Sequence, residues 1–410
     1  AKKTPTEIVT HGDRRVDEYF WMRERENPEV LRYVRAENRY TKAAMNHTKV
    51  LQQKLFGEMR SRVKEADSSV PERIDDYYYY TRTKKGKQFL IYCRKRGNLN
   101  SEEEIILDVN ELADRHKFFN MDVHEISPDH SLLAYLADTD GSERHMLQVK
   151  NLKTGQLLPE RIPSTAKIAW ASDSKTLFYS VLDEEFRPHK VFRHVVGTDP
   201  REDVEVFHEK DPMFYYLVLR RTKTGRYITI SVHSATTSEV RFLRADRPTD
   251  NFEVLRPREH GLLYYAMDHG DKFIIVTNEN AKNFRIAEAP IDDPSSRNWK
   301  ELLPHREDVA ICVSDPLQWV EVFRNHLVVF ERENADFHIR IIDLRNRASH
   351  RIGLPESLCE LVPVETHEFE STRMRFRFST MVMPPRIYQY DMDSRKLELL
   401  KQYEAPGYDP

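Results

Sequence analysis

Cysteine and glycine are what this sequence has least of. Its three cysteines, Cys93, Cys312 and Cys359, are odd in number, far apart and without a C-x-x-C pair. That excludes a disulfide framework and a cysteine-built zinc site, and it suits a reducing compartment. Twelve glycines in 410 residues are under half the usual share of about 7%. No two lie four apart, so no G-x-S-x-G nucleophile elbow exists. None lie five apart before a Lys, and none lie two apart, which removes a Walker A loop and a G-x-G-x-x-G turn. His124-Glu125, His208-Glu209 and His367-Glu368 each lack the second histidine of H-E-x-x-H. No apolar run approaches the roughly 18 residues of a membrane span. The opening AKKTPTEIVTHGDRR has no signal-peptide apolar region, so a cytoplasmic protein is expected. Asn46-His47-Thr48 matches the glycosylation sequon, but that use needs a secretory route. An excess of either charge is also missing: 64 basic against 67 acidic side chains give −3, which argues against a binder working through a strongly basic surface.

What is present is ample core material, 39% hydrophobic with 20 Phe and 19 Tyr, divided into two regions. Residues 1–70 carry 15 Lys and Arg against 11 Asp and Glu, leaving −7 on the remainder. Asn27-Pro28 reads as a helix start, Asn capping and Pro at the first helical position. Val30, Leu31 and Val34, then Leu51, Leu55, Met59 and Val63, recur at three- and four-residue steps, the stripe of an amphipathic helix. The pattern weakens at Asn46-His47-Thr48, so two helices or one kinked helix are predicted across 28–65. Upstream, His11 through Met22 reads as an extended arm.

From about residue 75 the period becomes alternating. Strand-like runs fall at 77–81 with 88–92, then 131–136, 176–181, 227–232, 273–277, 326–330 and 374–378. Taking Phe89, Leu133, Leu177, Ile228, Ile274, Val328 and Phe376 as equivalent gives seven units of about 48 residues. A period of 40–50 with several strands per unit is the propeller signature, since one four-stranded sheet cannot bury both faces without neighbours. The expected fold is all-β: a seven-bladed β-propeller at 72–402 with an N-terminal α-helical arm at 1–71 and a linker at 403–410. A β-sandwich or two β domains is the competing architecture.

Smaller signals have plain readings. Tyr77-Tyr78-Tyr79-Tyr80 reads as a strand showing both faces. Lys84-Lys85-Gly86-Lys87 and Arg94-Lys95-Arg96-Gly97 read as solvated turns, and Asp75-Asp76 and Asp292-Asp293 as turn chemistry. His189 and His194, five apart, face opposite sides of a strand. The cysteines read as small hydrophobes in strands, with Cys93 as a redox-sensitive thiol the alternative. No His, Asp or Glu cluster recurs from unit to unit, which counts against a carboxylate or metal enzyme working in the channel.

Thr10-His11-Gly12-Asp13-Arg14-Arg15-Val16-Asp17-Glu18-Tyr19-Phe20-Trp21-Met22-Arg23 resembles the opening of the prolyl oligopeptidase family, in its oligopeptidase B branch of protozoan, kinetoplastid type. Tyr33 to Asn38, Glu125 to Asp129 with Asp140 to Glu143, and the closing Pro385 to Pro410 are similar to the same branch, so the resemblance spans the whole chain. It implies a serine–aspartate–histidine triad in an α/β-hydrolase domain beyond the propeller. No residue here matches the triad's motif, so no catalytic residue is carried over. The implied function is the gating and size-filter part of a serine oligopeptidase cleaving short peptides after Arg or Lys; the alternative is a stand-alone propeller serving as a protein-interaction platform. The implied partners are the hydrolase domain, on the same parent chain or a second one, and short basic peptides. Neither nucleic acid nor membrane is a partner, and no cofactor or metal is implied. Hinge candidates are Val70, Pro71, Pro406, Gly407 and Tyr408. In the family the arm packs on the hydrolase domain, making Leu51, Leu55, Met59 and Val63 interface candidates.

Overall fold

The computed structural model describes residues 1–313 and 319–408. Asp409 and Pro410, the end of the expected linker, lie outside the described residues. The described residues divide into two compact units, one formed by 1–64 with 405–408, the other by Glu65–Glu404.

In the first unit, helix α1 spans Pro28–Ala44 and helix α2 Lys49–Ser61. Asn27 caps α1, its side-chain oxygen accepting from the Glu29 N–H at 2.9 Å, and Pro28 occupies the first turn. Between the helices Met45–Thr48 tightens to a 3-10 turn. There the Thr48 hydroxyl donates to the Met45 carbonyl at 2.7 Å, a side chain competing for a helical acceptor. The expected extended arm is instead a β-hairpin, Thr6–Thr10 against Asp13–Asp17. His11 and Gly12 turn it with φ of 53° and 84°, the paired left-handed conformation that a two-residue hairpin loop requires. Trp21 then donates to the Lys2 carbonyl at 3.0 Å and meets Tyr33 of α1 edge-on.

The second unit is the seven-bladed β-propeller. Every blade is an antiparallel meander of contiguous chain. Blade 1 occupies Glu72–Asp108 and blade 7 Glu360–Gln402, so no strand is exchanged where the ring closes. Second strands form the core: Leu177, Phe178, Ile228, Ile230, Val328, Phe330, Phe376 and Phe378 are all fully buried. These strands are apolar at successive positions because a neighbouring blade covers each face. Six apolar clusters join neighbours from blades 1 and 2 through to 6 and 7.

Leu133, Leu177, Ile228, Ile274, Val328 and Phe376 all lie on second strands, whereas Phe89 does not. The third strand of blade 1 is Ile91–Arg96 rather than 88–92, and Phe89 falls in the connection before it, where the Asn110 side chain receives its N–H at 2.9 Å. Tyr77–Arg82 is the second strand. Arg94, Lys95 and Arg96 are strand residues, not a turn, and Arg94 is buried. It can be, because Glu104 accepts from it bidentately at 2.7 and 2.8 Å and the His130 carbonyl at 2.7 Å. Of the cysteines only Cys93 lies in a strand; Cys312 and Cys359 flank strands and pack against the apolar cluster of blades 6 and 7.

One end of the ring is stitched by the turns linking first and second strands, with a contact at each of the seven blade junctions. Asp75 meets His130 at 3.1 Å, the Asp129 N–H donates to Ser174 at 3.0 Å, and Arg221 donates to Ser172 at 3.1 Å. Thr224 donates to Asp268 at 2.5 Å, His269 meets the Arg324 carbonyl at 2.8 Å, and the Arg324 N–H donates to the Phe369 carbonyl at 2.9 Å. Arg73 and Glu368 close the circle at 3.6 Å. The junction of blades 7 and 1 gains further ties from Arg375 to the Pro71 carbonyl at 2.9 Å and Lys401 to Asp67 at 2.5 Å.

Candidate functional site in the propeller channel

First strands of neighbouring blades touch, as Asn120–Ile126 does with Thr165–Trp170 and that strand with Tyr216–Arg221, so the first strands surround the channel. Near the stitched end the ring brings six ionisable side chains into one electrostatic cluster: Glu72, Glu125, Lys223, Glu321, Glu365 and His367. Glu72 begins the first strand of blade 1, Glu125 is on that of blade 2, and Glu321 is on Val320–Val322 of blade 6. Lys223 lies in the blade 4 turn, and Glu365 and His367 in the blade 7 turn.

Two of these contacts are well defined. Lys223 Nζ lies 3.1 Å from Glu321 Oε2 and 3.4 Å from the centre of the Phe323 ring, so a buried cation is held by a carboxylate and an aromatic face together. The His367 backbone N–H donates to Glu72 at 2.9 Å, and its ring lies 3.6 Å from Glu72 and 3.9 Å from Glu365. Glu321 is almost wholly buried, and among the described residues its second oxygen, Oε1, has no hydrogen-bond partner.

Charge in this enclosure is expensive. Burial pushes Glu321 up to about 7, with Glu365 and Glu72 adding to the effect and Lys223 opposing it. Glu125 also rises to about 7, chiefly from the enclosing protein and then from Glu365. His124 falls to about 4 from the same enclosure, with His367 adding. For His367 enclosure works against the proton, but Glu72, Glu365 and Glu125 outweigh it and hold the imidazole above its ordinary value. Glu125, His124, Glu365 and His367 are nevertheless exposed to solvent. Side chains wetted yet surrounded by protein are what a water-filled channel produces. Arg375 also acts on Glu72, and Arg220 stands on the first strand of blade 4 in the register of Glu72, Glu125 and Glu321, so carboxylates and cations are interleaved around the channel.

Among the described residues the arrangement holds no nucleophile with an activating base. Tyr79 Oη lies 2.7 Å from His130 Nδ1, and His130 Nε2 3.1 Å from Asp75. The order is that of a catalytic triad, but burial pushes the Tyr79 phenol up to about 12, and the set serves to join blades 1 and 2. Among the described residues no three His, Cys, Asp or Glu side chains are grouped to hold a metal.

The sequence reading missed this cluster. His367-Glu368 appeared there only as an incomplete zinc motif, yet Glu72, Glu125 and Glu321 share one register, each opposite the third residue of its blade's second strand (Tyr79, Ala134 and Val328), with Arg220 in the matching place of blade 4. A carboxylate or histidine in a run just before a second strand was the available signal. Of the hinge candidates, Val70 and Pro71 lie inside the propeller unit, with the Pro71 carbonyl held by Arg375. Pro406, Gly407 and Tyr408 follow the division after Glu404, in a turn where the Tyr408 N–H donates to Ala405 and Gly407 has φ of 80°. Leu51, Leu55, Met59 and Val63 are all exposed.

Residues 1–403 match the family described as prolyl oligopeptidase, N-terminal beta-propeller domain. Dipeptidyl aminopeptidase BI of Pseudoxanthomonas mexicana is 35% identical, aligned over all of this chain and 58% of its own length. Protease 2 of Moraxella lacunata is 29% identical over all of this chain and 59% of its own length. Among solved structures, oligopeptidase B from Leishmania major superposes on the whole chain with a TM-score of 0.91 at 28% identity, over 61% of its own length. The chain thus spans about three fifths of the length of each of these three proteins.

Proposed function

Because this chain belongs to the prolyl oligopeptidase family, as its N-terminal β-propeller domain, we propose that it gates a serine oligopeptidase that cleaves short peptides after Arg or Lys. The observation that carries this reading is a closed propeller similar to that of oligopeptidase B, with Glu72, Glu125 and Glu321 in one register on its first strands. Those carboxylates favour cationic peptides, and a closed ring of blades admits only segments slim enough to thread it. A hydrolase domain, on the same parent chain or a second one, supplies the serine, histidine and aspartate that form and resolve an acyl-enzyme. The apolar stripe Leu51, Leu55, Met59 and Val63 packs on that domain. Separation about the crossings after Lys64 and Glu404, with Val70, Pro71, Pro406, Gly407 and Tyr408 beside them, opens the way in.

A second reading follows from the relative named dipeptidyl aminopeptidase BI: release of dipeptides from free N-termini. One assay separates the two. The parent protein is offered fluorogenic peptides with Arg or its neutral isostere citrulline before the scissile bond, each with a free or acetylated N-terminus. Cleavage of the acetylated Arg peptide at least 100-fold faster than its citrulline twin supports the first reading. Dependence on the free N-terminus supports the second, and hydrolysis by the 410-residue chain alone overturns both. A protein-interaction platform, the alternative outside catalysis, predicts no hydrolysis by the parent either.

A further inference from the structure

We propose that Lys401 and Asp67 are positioning residues for the gate: their ion pair clasps the entering and leaving segments of the propeller together, so that the two crossings bend as a single hinge. The inference rests on the gating reading for its purpose, and deepens it by naming the side chains that couple the crossings.

The chain enters the propeller unit at Glu65 and leaves it at Glu404. Asp67 stands two residues after the entry and Lys401 three before the exit. They are 334 positions apart in sequence, yet Lys401 Nζ donates to Asp67 Oδ2 at 2.5 Å. The same ammonium donates to the Ser68 carbonyl and lies 4.5 Å from the centre of the Tyr403 ring. It therefore grips the entry through two acceptors and packs on a ring beside the exit. Each segment is anchored on its own blade. The Asp67 N–H donates to the Thr83 hydroxyl at 3.0 Å, and the Thr83 N–H to the Asp67 carbonyl at 2.8 Å. The Ser69 N–H donates at 2.8 Å to the carbonyl of Thr81, on the second strand of blade 1. Lys401 pairs with Ile387 in blade 7, and the Tyr403 N–H donates to the Pro385 carbonyl at 2.8 Å. No strand is exchanged at this junction, so side chains carry the coupling that a shared strand would give. Arg375 and His367 reach later residues, Pro71 and Glu72, whereas the Lys401 pair lies beside both crossings. Its side chains are 15% and 26% exposed, which shields the pair from the water and salt that weaken surface pairs. A short charge-assisted bond of fixed direction resists separate twisting of the two segments; without it each crossing becomes its own pivot.

The test is hydrogen exchange, read by mass spectrometry on the parent protein, for wild type, Lys401→Met, Lys401→Arg and Lys272→Met. Lys401→Met keeps most of the stem and removes the charge. Exchange should quicken about five-fold or more in both segments, 65–70 and 399–404, although the substitution lies in only one of them. Lys401→Arg keeps the pair and should stay within about two-fold of wild type. Lys272→Met, which breaks a similarly shielded pair with Glu288 in blade 5, should leave both segments unchanged. Faster exchange confined to 399–404, or equal effects of Lys401→Met and Lys272→Met on 65–70, overturns the clasp. The second readout is the length filter. Relative to a short peptide, cleavage of one of about 40 residues around the same scissile bond should rise about three-fold or more in Lys401→Met. Simple loss of stability does not move that ratio, and an unchanged ratio overturns the role in gating. Exchange is read whatever the parent cleaves. A parent that fails to cleave after Arg therefore defeats the proposed function and leaves the clasp standing, while cleavage after Arg without coupled exchange does the reverse.

Discussion

Glu331 offers the sharpest test of how the propeller is held together. It lies on the second strand of blade 6, fully buried, and receives three guanidinium groups: Arg306, Arg340 at 2.7 Å and Arg351 at 3.3 Å. Burial alone would raise its carboxyl, but Arg340 and Arg306 outweigh it and hold the group below its ordinary value. Glu331→Gln keeps the shape and one acceptor while removing the charge that three arginines converge on. Breaking a buried ion pair costs about 3–5 kcal/mol. The arginines are 17–31% exposed and regain some water, so about 3 kcal/mol is the expected loss. With about 2.1 cal/mol/K of unfolding entropy per residue over roughly 340 propeller residues, that lowers Tm by about 4 °C. Since the folded value lies below the unfolded one near 4.5, the stabilisation is complete above that pH and fades as pH falls through the folded value. Scanning calorimetry of both proteins should therefore show a Tm gap at pH 7 that narrows towards pH 3. Glu370→Gln, at a pair with Arg324 in which both side chains are 66% exposed, is the comparison and should shift Tm by less than about 1 °C. Equal shifts for Glu331→Gln and Glu370→Gln, or a gap that widens on acidification, would refute the reasoning.

Glu321 should behave in the opposite sense. Its folded value, about 7, lies above its unfolded one, so the folded state holds the extra proton and wild-type stability falls as pH rises from about 4.5 to 7. Glu321→Gln should remove part of that slope in urea titrations at pH 5 and 8; an unchanged slope would count against the assignment. The Cys93 and Cys312 thiols are both pushed up to about 11 by burial, so a disulfide reagent at pH 8 should leave them unmodified in the native chain and react with all three cysteines in denaturant. Prompt native labelling of Cys93 would restore the redox reading. Leu55→Glu on the exposed face of α2 should reduce any self-association seen by sedimentation while leaving the propeller's Tm within about 1 °C; unchanged association would mean that another surface drives it.

Local pattern carried most of the fold. Apolar runs of five to eight residues locate second strands because covering them on both faces demands apolar residues in succession. Six of the seven equivalent positions read from the period therefore sit on those strands. Asn27-Pro28 likewise fixes the start of α1, since the cap and the first-turn proline act within three residues. Blade 1 was harder: its four tyrosines are only half-buried, so the stronger apolar signal near Phe89 drew the register towards a connection.

The family signatures at the two ends, the helical stripe and the seven-fold period were set by the sequence by itself, because each is written in neighbours along the chain. The channel site was decided only by closure of the ring. Glu72 and His367 are 295 positions apart, and Lys223 and Glu321 are 98 apart. No local pattern couples residues at such separations. Their charges meet because seven blades, each ordinary in itself, bring their first strands around one axis, where enclosure couples charges that the chain keeps far apart.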